Sequence, residues 1–393
     1  MLLSITLILM MGMFLGWICK KIRFPSLFGM IITGIILGPY VLNLIDASIL
    51  NLSSDLRRIA LIIILIRAGL SLDINDLKKV GRPAVLMCFV PACFEMIGMV
   101  LLAPRLFDIS ILDAAILGAV IAAVSPAVIV PKMLKLMEEG YGTEKGIPQL
   151  ILAGASVDDV FVIVMFSTFT GLAQGTEASA LTFINIPISI VVGAAVGFLT
   201  GYVLAKYFEK IHIRDTAKVI ILLCISFAMV TFEDKFSSYI PFASLIAVMC
   251  VGISLQRKRE AVAVRLSSKF NKLWVTAEIM LFVLVGATVD LHRALEAGGT
   301  AILLIFGVLC FRVVGVAFCL IKTKLSKKER LFCMLGYTPK ATVQAAIGGV
   351  PLAMGLSCGN IVLMVAVVAI LITAPLGAFL IDFTYKKLLD REK

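Results

Sequence analysis

The sequence predicts an all-α polytopic membrane protein of thirteen transmembrane helices, arranged as an inverted-topology repeat and interrupted by two discontinuous helices. Three observations carry this expectation. Hydrophobic residues make up 61% of the 393 and charged residues only 16%, with a mean hydropathy of +1.06, which is more apolar surface than one soluble core can hide. Lys and Arg concentrate in every second interspan loop. Two of the apolar runs carry a proline beside small polar residues near their centres.

A window of about 20 apolar residues places the spans at roughly 2–19, 24–42, 58–72, 83–103, 112–131, 148–171, 181–205, 216–232, 238–255, 273–289, 300–321, 331–354 and 359–382. The first run lacks the basic leader and small-residue cleavage site of a secretory signal, and Lys20, Lys21 and Arg23 follow it rather than precede it, so it is expected to be retained as a span. Of the 36 Lys and Arg residues, 28 fall in one set of alternating segments and 5 in the other, leaving Arg67, Arg312 and Lys340 inside spans. The positive-inside rule then places the N-terminus outside and the C-terminus in the cytoplasm. The expected location is a bacterial plasma (inner) membrane. The net charge of +11 sits in short loops, which is a topological signal and not a nucleic-acid footprint. The nine cysteines lie mostly in apolar runs with no CxxC and no nearby His, so buried thiols are expected, not disulfides or a metal site.

The repeat follows from matching like segments. Pro25 to Gly38 has an echo in Pro241 to Leu255, each reaching a glycine, Gly34 or Gly252, near its end. The run Arg67 to Asp73 resembles Leu284 to Asp290, with Gly69 and Gly286, and Asp73 and Asp290, both 217 residues apart. The same offset takes Glu95 to Arg312. Corresponding helices are seven spans apart, an odd number, so one copy is upside down relative to the other, as in secondary transporters. The repeats cover about 2–171 and 216–382 and are linked by the span 181–205.

The fifth span contains Val124-Ser125-Pro126-Ala127, and the twelfth contains Gly336-Tyr337-Thr338-Pro339-Lys340 followed by Thr342 and Gln344. A proline removes one helical hydrogen bond and crowds the preceding turn, so each site is either an ordinary kink or a point of unwinding. The matched placement in both halves favours unwinding. Irregular backbone at membrane depth needs protein or water to satisfy it, and the freed carbonyls and half-helix ends make ion sites.

Asp158 and Asp159 stand side by side in a stretch, Ile147 to Thr176, that has no other charge. At about 1.5 Å per residue from Pro148, Asp158 lies about 15 Å in, near the middle of a roughly 30 Å core. A carboxylate there costs at least a few kcal/mol and normally lines a wet cavity where it binds or relays something. Neighbours on a helix differ by about 100°, so one aspartate is expected to face the main site. Burial and a like-charged neighbour favour the protonated form, whereas a small alkali cation favours the ionised one. Competition between the two for one carboxylate is sufficient for exchange.

Glu95 and Arg312 reach similar depth and are expected to pair, because a buried Arg keeps its charge and needs a carboxylate. The pair is expected to hold the core helices and tune the aspartates in preference to binding the ion directly. Lys340 either neutralises a half-helix end or belongs to the site, and both readings stay open. Arg67 is expected to be structural, and His212 and His292 to be solvated loop residues. An intramembrane aspartyl protease needs two aspartates opposed across a water, a geometry that neighbours on one helix do not offer, so no enzymatic activity is expected. A channel suits paired broken helices less well than a carrier does. The alternative carrier is a sodium-coupled organic-solute symporter, which would need a roomy pocket with substrate donors.

Four segments, Ala122 to Pro131, Gly154 to Val160, Pro339 to Ala346 and Arg67 to Asp73, resemble those of the cation:proton antiporter superfamily, specifically the NHA branch of its sodium/proton exchangers. The resemblance spans nearly the whole chain. It implies an NhaA-like antiporter fold with a dimerisation domain (about 1–57 and 181–255), a core transport domain (about 58–171 and 273–382) and two discontinuous helices that cross at Ser125, Pro126, Thr338, Pro339, Lys340 and Thr342. It implies Asp159 as the principal ion- and proton-binding carboxylate, Asp158 as its partner in holding the transported Na⁺ or Li⁺, and Ser125 as a polar group at the crossing. Glu95 and Arg312 match the branch's intramembrane ion pair. Well-known electrogenic relatives carry a lysine where Arg312 falls, so any proton-carrying role of that lysine does not transfer. The resemblance further implies a homodimer in the lipid bilayer that works by elevator-type alternating access, with inward proton flow driving Na⁺ or Li⁺ out. Monovalent cations and protons are its expected partners, with no cofactor and no nucleic acid.

Overall fold

The computed structural model describes residues 1–22, 24–72, 81–174, 180–211, 213–236, 240–289 and 298–392. Asp73, Asp290, His212 and His292 lie outside the described residues. The first half contributes α1 (Leu2–Lys21), α2 (Ser26–Leu37), α3 (Ala47–Asn51), α4 (Ser53–Ser71), α5 (Arg82–Met87), α6 (Val90–Phe107), α7 (Ile111–Ala122), α8 (Pro126–Glu139) and α9 (Ile147–Ala173). The second half contributes α10 (Ala180–Lys210), α11 (Asp215–Phe236), α12 (Ser244–Lys258), α13 (Glu260–Ala287), α14 (Gly298–Cys319), α15 (Lys327–Gly336), α16 (Thr342–Ile347), α17 (Val350–Ala353) and α18 (Gly359–Leu388).

Among the described residues, nine helical stretches are long and apolar enough to cross a bilayer: 2–21, 82–107, 111–139, 147–173, 188–210, 215–236, 260–287, 298–319 and 359–388. The chain is an integral membrane protein. The other four expected spans take different forms for physical reasons. Two fall on short helices, α2 with 12 residues and α12 with 15. A third falls on α4, which carries Asp55, Arg57, Arg58 and Arg67, and the fourth is divided among α15, α16 and α17 around Pro339.

Lipid-facing and core-facing helices differ in burial. Along α1, Leu3, Met10, Met13, Phe14 and Trp17 are exposed, an apolar surface that a bilayer covers without cost. By contrast α7 is buried on every side from Ala114 onward, as a helix that is apolar all round must be. Its start is set by Ser110, whose hydroxyl accepts from the Asp113 amide at 3.0 Å, and α15 starts at a reciprocal capping box between Ser326 and Glu329.

The helices gather into two compact units, one from Met1–Arg57, Asp76–Gln174 and Ile279–Lys393, the other from Arg58–Asn75 and Gly175–Glu278. In the first unit, α2 meets the C-terminal part of α13 at a crossing that leaves no space for side chains. A Cβ on Gly34 would lie 1.9 Å from the Val283 carbonyl oxygen, and one on Gly286 would lie 2.1 Å from that of Ile31. In the second unit, α4 and α12 meet the same way, with a Cβ on Gly69 falling 2.2 Å from the Met249 carbonyl oxygen and Gly252 set against the Gly69 backbone. Arg58 adds a two-pronged ion pair to Asp234 at 2.8 and 2.7 Å in that unit.

Because backbone occupies the space, Gly286→Ala should destabilise the protein by on the order of 1–3 kcal/mol through overpacking. Gly336→Ala is the control, since its added Cβ would make only ordinary side-chain contacts, with Ile151 Cδ1 at 3.5 Å and Ile381 Cγ1 at 3.8 Å. Thermal denaturation in detergent, read as loss of the monodisperse peak, should separate the two variants. Equal melting would contradict the close-packed crossing.

Candidate functional site

Every residue of the candidate site belongs to the first unit. Its frame is two interrupted helices. The fifth expected span ends as helix at Ala122, runs extended through Ala123 (φ −68°, ψ 145°) to Ser125 (φ −92°, ψ 109°), and resumes with Pro126 in the first helical turn of α8, where a missing N–H costs nothing. The twelfth ends at Gly336, leaves helical geometry from Thr338 to Ala341 and resumes at Thr342. The two breaks touch: the Ser125 amide donates to the Pro339 carbonyl at 2.8 Å. Pro339 packs against Gly377 of α18, where a Cβ would fall 2.4 Å from the proline ring. The Lys340 amide donates to the Thr373 hydroxyl of the same helix at 2.9 Å.

An interrupted helix leaves carbonyls without intrahelical donors, and here two side chains supply them. Gln344 aims its amide nitrogen at the carbonyls of Val120, Ile121 and Ala123, at 3.2, 3.1 and 2.9 Å. Arg312 donates to the Ala122 carbonyl at the end of α7 and, through Nε at 2.6 Å, to the Tyr337 carbonyl at the end of α15. Its fork also reaches Glu95 Oε2 at 2.6 Å and Asp158 Oδ2 at 3.2 Å, while the guanidinium lies 4.9 Å from the centre of the Tyr337 ring. The Tyr337 hydroxyl is anchored on the Met87 carbonyl at 3.0 Å. One fully buried arginine therefore joins both helix breaks to two carboxylates.

Lys340 also approaches Glu95, with Nζ at 2.6 Å from the same Oε2 that Arg312 holds. Asp158 takes a further bond from the Val124 amide at 3.2 Å, so it faces Arg312 and the first break. Asp159, on the adjoining face of α9, has no protein partner for its buried Oδ1. The buried oxygens Asp158 Oδ1, Glu95 Oε1, Ser125 Oγ, Thr342 Oγ1 and Gln344 Oε1 likewise lack a donor. Such atoms in a protein interior call for a proton, a water or a cation. The network holds three carboxylates, Glu95, Asp158 and Asp159, against two cations, Arg312 and Lys340, and all five side chains are at most 4% exposed.

The structure thus brings together Ser125, Pro126, Asp158, Glu95, Arg312, Thr338, Pro339, Lys340 and Thr342 through contacts or adjacency in the chain, and Asp159 through its neighbour Asp158. Arg67 and Gly69 lie elsewhere, in the second unit. Sequence reasoning did not anticipate the link from Arg312 to Asp158, the triple contact of Gln344, or the support from Thr373 and Gly377. Gln344 was visible as a polar residue after the second break. Thr373 and Gly377 sit in an apolar run with no charged neighbour, which offered no signal.

Comparisons with known proteins bear on the family and the fold. The family model described as "Sodium/hydrogen exchanger, transmembrane" matches residues 5–387. Sodium/hydrogen exchanger 9B2 of Homo sapiens is 33% identical over 383 residues, covering 93% of this chain and 70% of the relative. Sodium/hydrogen exchanger 9B1 of Homo sapiens is 31% identical over 384 residues, covering 93% and 73%. Among solved structures, that of the sodium proton antiporter MjNhaP1 from Methanocaldococcus jannaschii at pH 8 superposes with a TM-score of 0.86 at 21% identity, covering 98% of this chain and 97% of that one, which is a likeness of fold. A family match over nearly the whole length, around a buried set of carboxylates, leads to one conclusion: this chain belongs to the sodium/hydrogen exchanger family.

Proposed function

We propose that this chain is a secondary active antiporter that exchanges Na⁺ or Li⁺ for H⁺ at Asp159 and Asp158. The observation that carries the reading is the charge count of the buried network. Three carboxylates against Arg312 and Lys340 leave one negative charge without a partner. An uncompensated buried charge costs several kcal/mol, and either one proton or one alkali cation removes it. The two ligands therefore exclude each other on charge alone. The loaded site is neutral and can cross, whereas the empty site carries a charge that opposes crossing, and this difference is what couples the two fluxes.

Within this reading Asp159 is the titrating ligand: both aspartates have a buried Oδ1 without a donor, but Asp158 is held through Oδ2 by Arg312 and the Val124 amide. Ser125 Oγ and Thr342 Oγ1, both buried without donors, are neutral oxygens of the kind a desolvated Na⁺ takes as ligands. Glu95 and Arg312 hold the frame, and Lys340 shares that task. The interrupted helices are read as a crossed pair of discontinuous helices at Ser125, Pro126, Thr338, Pro339, Lys340 and Thr342, a reading supported by the bond from the Ser125 amide to the Pro339 carbonyl. Thirteen spans in an inverted repeat accommodate the glycine crossings: the repeat matches Gly34 with Gly252, 218 residues on, and Gly69 with Gly286, 217 residues on, so the crossing of Gly34 with Gly286 in one unit answers that of Gly252 with Gly69 in the other.

Alternating access of elevator type is the proposed motion. The site residues share one compact unit, so a body that carries Asp159 also carries the ion pair and both breaks. A homodimer would supply the static partner, built on the expected dimerisation segments about 1–57 and 181–255; Met1–Arg57 belongs to the same compact unit as the site, so the proposed boundary between moving and static parts runs within that unit. The proposed setting is a bacterial inner membrane with the C-terminus in the cytoplasm, where inward proton flow drives the cation out. One proton exchanged for one such cation moves no net charge; only an electrogenic stoichiometry would draw on the membrane potential, by about 2.3 kcal/mol per 100 mV for each net charge moved. No observation favours the organic-solute symporter.

The direct test is cation-induced dequenching of a pH dye in proteoliposomes. Wild type should respond to Na⁺ or Li⁺, and Asp159→Asn should fall to the protein-free baseline; a variant that responds as wild type does would remove Asp159 from the mechanism. Arg312→Gln leaves Glu95 to Lys340 alone and strands Asp158 and two helix-end carbonyls, so it should destabilise the fold by roughly 3–5 kcal/mol. Arg312→Lys restores the charge but not the planar fork and should melt between the two. Identical melting of Arg312→Gln and wild type would contradict the bridging role.

A further inference from the structure

The turn between α8 and α9 is gripped by the C-terminal residues. The α8 helix starts at the Ser125 break and ends at Glu139, and α9 starts at Ile147 and carries Asp158 and Asp159. Between them Gly140 and Gly142 adopt φ of +74° and +68°, a conformation that other residues rarely hold. Residues 390–392 run antiparallel to this turn. The Gly142 amide donates to the Asp390 carbonyl at 2.9 Å, and the Glu392 amide donates to the Gly140 carbonyl at 2.8 Å. The Thr143 hydroxyl donates to the Glu392 carboxylate at 2.6 Å, and Arg391 Nε reaches the Glu139 carbonyl at 3.2 Å.

Side chains of α18 extend the grip inward. The Tyr385 hydroxyl donates to Glu139 Oε2 at 2.9 Å, its ring meets Tyr141 edge-on at 5.0 Å, and Lys132 of α8 pairs with Asp382. Leu389 and Tyr385 are buried in the same apolar cluster as Ile147, Leu136 and Val124. Residues 390–392 are tied at both backbone and side chain. The same helix, α18, contacts the second break through Thr373 and Gly377. The residues that follow it thus contact a turn whose two arms lead, over about 18–21 Å of helix, to Ser125 and to Asp159.

We propose that residues 389–392 are a positioning strap for cation exchange: by clamping the 139–143 turn they fix the spacing of α8 and α9, and so set the cation affinity and working pH of the site. The strap rests on the exchange reading above but touches none of the proposed ligands. A strap that merely kept the protein folded would change stability and maximal rate together. One that positions the ligands changes the half-saturating cation concentration and the pH midpoint.

The experiment uses the full chain in proteoliposomes, with Na⁺ titrations at several pH values. Glu392→Pro removes the amide that holds Gly140, and Arg391→Ala removes the bond to Glu139. Each should raise the half-saturating Na⁺ by about three- to tenfold, the range expected for losing one or two hydrogen bonds, and should move the pH midpoint, with maximal rate kept within about twofold. Glu392→Gln keeps an acceptor for Thr143 and should behave as wild type. If Glu392→Pro does not fold, Arg391→Ala set against Glu392→Gln decides the matter. Unmoved half-saturation and pH midpoint in a wild-type background that does exchange would overturn the strap alone, as would a loss of rate that only follows melting. A wild type that gives no Na⁺ response would overturn the exchange reading and the strap with it.

Discussion

The guanidinium of Arg312 is the group on which the buried architecture turns. Interrupting a helix inside a membrane exposes carbonyls where no water is freely available, and each must be satisfied by protein. Arginine meets the need because its planar fork carries five donors that do not deprotonate. In this chain that fork satisfies the ends of α7 and α15, and holds Glu95 and Asp158 as well. Gln344 completes the end of α7. The breaks and the charges are therefore one problem with one solution.

Buried ion pairs seldom stabilise a fold relative to a well-packed apolar core, because desolvation consumes much of the Coulombic gain. The network is better understood as an energetic cost borne for a site. Close packing nearby keeps it in place. Pro339 seated on Gly377 and the Tyr337 hydroxyl seated on Met87 limit how far the second break can shift. The glycine crossing of α2 with the end of α13 gives the same unit a stiff backbone contact. A residual negative charge on such a frame can be relieved by an ion or a proton more readily than by rearrangement.

How much of this was legible depended on the cost of polarity in lipid. Asp158, Asp159, Glu95, Arg312 and the two proline segments stood out because nothing apolar explains them. Long spans were equally plain. The four weaker ones came from the same window, but their form was not legible: two are helices of 12 and 15 residues, one is a helix with three arginines, and one is divided around Pro339. Partner choice was hidden as well. Lys340 had two open readings from sequence, and only the approach of the second break to α6 in space brought its ammonium to Glu95. Thr373, Gly377 and the C-terminal contacts depend on which helices become neighbours, and one-dimensional spacing carries no information about that.

Glu95 offers a single oxygen, Oε2, to both Arg312 and Lys340. The arrangement is redundant: losing either cation still leaves this carboxylate with a counter-charge. That tolerance is one-sided: without Lys340, Glu95 still has Arg312, whereas without Arg312 the lysine keeps Glu95 but Asp158 and both helix ends lose their donor, so the lysine position is free to drift during evolution and the arginine position is not.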